Sequence, residues 1–524
     1  MNEILSQASI CGCCASRRRF LAAGCGACAA SLSPFSLGRS VAAEGQTARP
    51  RVRLIFACWG VKQPVATWPH IGHDFAPRIK EVEAKLRRAC PGVELLPALA
   101  HSPDDAEKLL AAGETDRIDG YVIYQMNNWV RAMQPIVVSG KPTLVADYNY
   151  AGSGGFLVFT AGLKRKHDNF SFISSSSLDD LAEAIKCFEL LGRGGTTAEF
   201  VAACDRLRRE RTMRERPLEC LEDPLRFADV GDCLEAMKRS KLLVVGPPMQ
   251  KTPVRSIREK LGIEVILTGY DEIAAAAEAV DEAQAREIVE RWQSTAAAID
   301  LADADDTLLK SAQNYLAQKA VMKQHGAEAI TINCLGGFYG GHLKGYPCLG
   351  FVELLNDGLI GACEADLISS VSMIAVNHLA GRPGFISDPV LDTSKRQIIY
   401  AHCVATTKPL GPETRANKYE IHTHSEDRRG ASVRSFLPEG YMLTTLEIHP
   451  WREEILCHRG KAVENVVNDL ACRTKLACEV QGDFEKLFTF WDRYGWHRVT
   501  FYGDLLEPVK ELAAALRFKF VEEA

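Results

Sequence analysis

Two acidic residues and one imidazole stand out by type and position. Glu364 ends the apolar run "LIGAC", and Asp388 ends "GFIS" one helix later. Late in the chain, His497 sits just before the strand-like "VTFYG". Two carboxylates and a neutral imidazole form a hard-to-borderline donor set, suited to Mn²⁺ or a similar divalent cation with positions left for substrate. Asp366, two residues past Glu364, has another role. It stands where a helix N-cap belongs, ahead of "LISSVSMIAVNHLA", and Gly381 supplies the stop.

The surrounding pattern suggests how the acids are positioned. "GLIGAC", the helix and "PGFIS" read as strand, helix and strand with short links. That is a βαβ unit with parallel, neighbouring strands. Both acids would then emerge at carboxyl ends of strands about 5 Å apart, where open α/β sheets bind ligands.

Weaker candidates surround this core. His402 ends the strand "QIIYAH", and "IHTHSEDRR" gathers His422, His424, Glu426 and Arg428. On a strand His422 and His424 share one face. "YQMNNW" places Asn127, Asn128 and Trp129 after a strand, where amides and an aromatic face suit a sugar. The glycine-rich "YAGSGGF" meets neither phosphate-loop pattern and reads as a loop near a pocket mouth.

The elements that must carry these residues change texture along the chain. Over residues 50–170, strand-like runs such as "RVRLIFA" and "GYVIYQM" take turns with amphipathic helices, the pattern of a doubly wound parallel sheet. A charged helical connector follows. Alternation then resumes through "KLLVVG", "IEVILTG" and "AITINCLG", giving a second Rossmann-like domain over 171–383. From 384 to 524 the runs are short and alternating ("YMLTTLEIHP", "LACEVQG"), as in antiparallel β structure. The fold class is therefore α/β, two Rossmann-like doubly wound domains followed by a β-rich C-terminal domain.

At 524 residues several domains are expected. A formal charge of −5 gives no electrostatic reason for nucleic acid or an anionic membrane as partner, and the described pattern after the N-terminus holds no apolar run long enough for a membrane span. The 18 cysteines contain no CxxC pair beyond the first 43 residues, which argues against a zinc ribbon. "SRRRFLAAGCGACAASLSPFSLG" resembles a twin-arginine export signal with a cut after Ala43, implying a periplasmic or secreted protein.

"CEADLISSVSMIAVNHLAGRPGFISD" resembles the C-E-x-D segment of the L-fucose isomerase and L-arabinose isomerase superfamily, in its fucose-isomerase-like branch. "WHRVTFYGD" is similar to that family's late N-H-x-x-x-x-x-G-D motif, with Trp496 standing where Asn is usual. The resemblance implies Mn²⁺ held by Glu364, Asp388 and His497. It also implies aldose–ketose interconversion of a sugar through a cis-enediol, with Glu364 and Asp388 moving the proton. Asn127, Asn128, Trp129, His402, His424 and Trp496 would then face substrate. A neighbouring subunit's first domain would close each site, requiring a homo-oligomer. Two other functions fit a tandem Rossmann scaffold. One is a non-catalytic periplasmic sugar-binding protein, and the other a metal-dependent epimerase or lyase of sugar acids.

Overall fold

The structure is a computed structural model that describes residues 49–250 and 253–524; the proposed export signal lies outside them. Alternating strands and helices build a first parallel sheet from β1 (Arg51–Ala57), β2 (Glu94–Ala100), β3 (Gly120–Gln125), β4 (Thr143–Asp147) and β5 (Phe170–Ile173). Its order, β2-β1-β3-β4-β5, is the doubly wound arrangement in which central strands are buried on both faces. β3 and β4 are accordingly buried at every position. The sheet runs past residue 170, because Phe170–Ile173 completes its edge beside β4. The first layer thus extends further than the expected boundary.

The second parallel sheet contains β6 (Lys241–Val245), β7 (Glu264–Thr268), β9 (Ala329–Ile332) and β10 (Ile360–Ala362), in the order β10-β9-β6-β7. β8 (Ala298–Asp300), within the alanine-rich helical stretch, instead pairs with β13 (Tyr419–His422) and through it with β14 (Ser432–Ser435).

The remaining strands are β11 (Phe385–Asp392), β12 (Gln397–His402), β15 (Met442–His449), β16 (Glu454–Asn465), β17 (Thr474–Gln481), β18 (Arg498–Tyr502) and β19 (Lys519–Glu522). They run β15-β18-β11-β12-β17-β16-β19, and β15 also pairs with β16. Six strands therefore close into an antiparallel barrel, which removes the exposed edges. Inside it Arg498 is fully buried and paired with Glu523 at 2.6 Å, while Tyr400 and Glu523 bracket His458 at 2.6 and 2.8 Å.

The helix Leu367–Ala380 departs from the expected βαβ unit. It packs against β9 and β10 on one side and against β15 and β18 on the other. That double contact explains why almost all its residues, polar serines included, are buried. β11 does not return to the second sheet. It turns back on β12 through Thr393–Arg396 and pairs antiparallel with β12 and β18. A local antiparallel turn requires less loop closure than a long crossover, so it captures the strand. Glu364 and Asp388 consequently belong to different sheets.

Candidate metal centre

The barrel register brings three side chains to one end. Ser387 lies opposite Arg498 and Asp388 opposite Ala401, so Asp388 stands beside His497 and next to His402. Asp388 lies within β11 rather than at its end. Glu364 arrives from the other layer, two residues past β10 at the sheet edge.

The backbone that delivers Glu364 is unusual. Glu364 and Ala365 both have left-handed conformations, with φ of 64° and 50°. Two consecutive non-glycine residues there cost about 1–3 kcal/mol each. The turn is fixed on both sides, because Ala365 N donates to Ile332 O (2.9 Å) and Met249 N donates to Ala365 O (3.0 Å). Strain of this kind persists only where the surrounding contacts hold it, and here it holds a carboxylate facing two imidazoles.

Glu364 Oε1 lies 3.6 Å from His402 Nε2, and Glu364 Oε2 lies 3.7 Å from His497 Nε2. Asp388 Oδ1 is 3.6 Å from the same His497 nitrogen. Donors held about 2.0–2.6 Å from one ion stand roughly 3–4 Å apart when adjacent. The Glu364–His402 and Glu364–His497 separations therefore suit a shared cation, while Asp388 adjoins that group through His497. Glu364, His402 and His497 each offer an atom within 4.8 Å of the others. Asp388 Oδ1 and His402 Nδ1 are buried with no hydrogen-bond partner among the described residues. An orphaned carboxylate oxygen beside an imidazole nitrogen fits a missing cation. Asp388, His402 and His497 are 4%, 3% and 2% exposed, whereas Glu364 keeps 23% and faces the opening.

His497 is oriented from behind. Its Nδ1 donates to Asp366 Oδ2 at 2.8 Å. An ionised carboxylate only accepts, so Nδ1 keeps its proton, and Nε2, which faces Glu364 and Asp388, is the nitrogen that must give up its proton to ligate a cation. This carboxylate–histidine arrangement is how metal-ligating imidazoles are held. Asp366 does serve as the expected cap: Oδ1 accepts from Ile368 N (2.9 Å) and Ser369 N (3.2 Å), and Gln250 Nε2 donates to it at 2.8 Å. Its second oxygen does the orienting, a role the sequence did not suggest. Ser369 Oγ donates to that oxygen and links it to Glu447.

The electrostatics follow from this crowding. Burial opposes charge on His497, but Asp388 and the Asp366 hydrogen bond outweigh it and raise its pKa to about 10. Burial pushes Asp388 up to about 8, with His497 opposing and Glu364 adding. Asp366 is held down at about 2, because the His497 bond overcomes its burial. Burial of Glu364 is likewise overcome, by the His402 bond and the His497 charge, and its pKa falls.

The weaker candidates divide. His402, expected beside substrate, joins the donor cluster itself. Trp129 and Trp496 meet at a ring separation of 5.3 Å, with Phe159 against both. Asn127 commits both amide atoms to the backbone, whereas Asn128 Oδ1 is buried with no hydrogen-bond partner among the described residues. Asn127 Nδ2 donates to Trp68 O and its Oδ1 caps Trp129 N, while Asn128 Nδ2 reaches Gly152 O. They hold Trp129 in place.

His424 is buried edge-on against the stacked rings of Phe338 and Tyr346 and bound to Asp427 at 3.2 Å. Burial opposes its charge, but Asp427 and Glu426 carry its pKa to about 9. His422 does not share that face. It pairs with Glu420 and Asp300 at the three-stranded sheet, and Arg428 pairs with Asp469. Glu426 is pushed to about 7 by burial, with His424 opposing and Glu364 adding. The chain's own first layer reaches this loop, because Ile71 N donates to Glu426 O at 2.8 Å. "YAGSGGF" also closes on the site. Gly154, at φ 67°, leaves no room for a Cβ, which would meet Pro389 Cδ at 2.7 Å.

Tandem parallel sheets and a barrel whose end gathers two carboxylates and two imidazoles define the class, an α/β protein with a site that fits a divalent cation. The sequence is similar to sulfoquinovose isomerases. It is 26% identical to that of Priestia megaterium over 306 residues, covering 56% of this chain and 67% of the relative, and 25% identical to that of Alkalicoccus urumqiensis over 303 residues. No family model matches. Among solved structures, an ABC transporter solute binding protein from Bacillus halodurans with bound myo-inositol shares 12% identity. It covers 61% of this chain and 93% of its own at a TM-score of 0.17, too low to carry an argument.

Proposed function

We propose that this protein is a divalent-cation-dependent aldose–ketose isomerase acting on a sugar through a cis-enediol. One observation carries the reading. Glu364, His402 and His497 converge from two sheets, with Asp388 beside His497 and the His497 Nε2 aimed inward by Asp366. Similarity to sulfoquinovose isomerases supports the same reaction class. Glu364, Asp388 and His497 are the proposed ligands, with His402 as a fourth, and Mn²⁺ is the proposed ion.

When bound, such a cation polarises adjacent sugar oxygens and stabilises negative charge developing on them. The protein does the rest. Glu364, the ligand nearest the opening, is placed to remove the proton from the carbon next to the carbonyl. Asp388, buried and prone to hold a proton, gives its own proton to the adjacent carbon; Glu364 releases the proton it took to solvent, and Asp388 takes a new one from solvent. Trp129 and Trp496 present aromatic faces to the sugar and keep water from the reacting carbons. We further propose export through the twin-arginine-like N-terminus and assembly as a homo-oligomer.

The test is proton exchange in D₂O by the Mn²⁺-loaded protein, across neutral aldoses and sulfoquinovose. Ketose carrying deuterium at carbon 1, with deuterium at carbon 2 of the recovered aldose, is expected for at least one sugar. Binding of a sugar without exchange would show a binding protein instead. Exchange without ketose would show an epimerase.

A further inference from the structure

Next to the candidate ligands lies a pair of thiols that the proposed reaction does not use. Cys403 follows His402 directly at the end of β12, and Cys472 lies two residues before β17, the adjacent barrel strand. Cys403 Sγ donates to Cys472 Sγ at 3.2 Å, and both residues are buried. Ser425 Oγ approaches Cys472 Sγ from the other side at 3.7 Å, and Ser425 sits between His424 and Glu426. The two sulfurs therefore join the strand carrying His402 to the strand beginning at Thr474, beneath the loop carrying Glu426. Moving from 3.2 Å to a bond of about 2.05 Å needs a displacement of about 1.2 Å, shared by two side chains.

We propose that Cys403 and Cys472 form an intrachain disulfide in the wall of the candidate site, made by exchange with a small-molecule disulfide. The Cys403 thiolate attacks one sulfur of R–S–S–R and expels RS⁻. Cys472 thiolate then attacks the Cys403 sulfur of the mixed disulfide and expels the second RS⁻. Two cysteine sulfurs are oxidised and one external disulfide is reduced. The two thiol protons leave with two RSH. In the closed fold the Cys403 hydrogen bond and burial hold the Cys472 thiol well above its ordinary pKa, so exchange runs through the folding chain or a local opening. Once made, the bond pins His402. That consequence rests on the proposed ligand role of His402, whereas the bond itself does not.

The full chain is equilibrated in glutathione buffers from reducing to oxidising. It is then trapped by alkylation in denaturant and digested without reduction for mass spectrometry. The expected product is a Cys403–Cys472 linked peptide pair lacking two hydrogen masses, absent from Cys403→Ser and Cys472→Ser. Thirteen cysteines are free among the described residues, so specificity is a real test. Alkylation of both residues across the whole series, or linkage of Cys403 to another cysteine, overturns the proposal.

Mn²⁺ release into a chelator provides a separate readout. It should be several-fold slower from the bridged form, and Cys403→Ser should remove the redox dependence. Linkage with equal release rates keeps the bond and overturns its hold on His402. Linkage in a protein that binds no Mn²⁺ in either state overturns the proposed function and leaves the bond standing.

Discussion

Asp366→Asn separates the two roles of one side chain. Asp366 Oδ1 accepts from Ile368 N, Ser369 N and Gln250 Nε2, while Oδ2 accepts from Ser369 Oγ and His497 Nδ1. An asparagine keeps the cap only by placing its oxygen at the Oδ1 position, and Asn caps about as well as Asp. Its NH₂ then faces His497 Nδ1, where it can only donate. His497 is driven to the other tautomer, with Nε2–H directed at Glu364 and Asp388, and cannot ligate a cation through that nitrogen. Loss of an outer carboxylate of this kind costs roughly 10–100-fold in metal affinity, or about 1.4–2.7 kcal/mol. Helix stability should change little, in contrast to Asp366→Ala, which forfeits the cap at about 1 kcal/mol as well. Calorimetric titration with Mn²⁺ and thermal melting of the metal-free protein measure the two effects independently. If Asp366→Asn binds Mn²⁺ within about twofold of wild type, His497 is not held as a ligand by Asp366 and the argument from its tautomer fails.

Three further outcomes follow from particular contacts. Asp388→Asn removes a buried carboxyl whose raised pKa costs stability at neutral pH and whose Oδ1 lacks a hydrogen-bond partner, so the metal-free protein should gain about 1 kcal/mol in urea unfolding while Mn²⁺ affinity drops at least about tenfold. Unchanged affinity would remove Asp388 from the ligand set. Gly154→Ala forces a Cβ into Pro389 at a left-handed φ and should destabilise by about 1–3 kcal/mol, read as a lowered Tm with weaker Mn²⁺ binding through the neighbouring Asp388. Glu523 is held at about 2, because Arg498 and His458 overcome its burial. Its folded pKa is depressed, so the stability it contributes is present above about 4.3 and is lost as pH falls toward 2, up to about 3 kcal/mol. Urea midpoints at pH 6, 4 and 3 should fall steeply over that window, and Glu523→Gln should flatten the slope; an unaltered slope would count against the pairing.

Much of the site was legible in the chain because local chemistry marks it. Asp366 before an apolar helix closed by Gly381 reads as a cap, and the structure shows that cap. The alternating texture of residues 51–147 gave its strands and helices, since central parallel strands must be apolar on both faces. Glu364, Asp388 and His497 do lie together, though not by the route their spacing suggested. His402 was read as a substrate contact because nothing in "QIIYAH" distinguishes a strand-end histidine that faces a sugar from one that faces a carboxylate. Asn127 shows a related ambiguity: an amide after a strand suits a ligand and a backbone turn equally well, and here the backbone takes both of its amide atoms.

What the sequence determined by itself is the menu of elements and the residue types able to hold a hard cation, because periodicity, caps and donor chemistry are local properties. The tertiary structure decided which strand each donor rides on. β11 had two possible partners, the second sheet and the turn-linked β12; the short turn captured it, and long-range pairing with β18 set it in the barrel. That choice put Asp388 beside His497 through the β11–β18 register, brought His402 in from β12, and left Glu364 to reach across from another sheet on a strained turn. The second oxygen of Asp366 acquired its task in the same way. A side chain's partners across 131 residues of sequence are fixed by packing of the helix against the barrel, which no local pattern encodes.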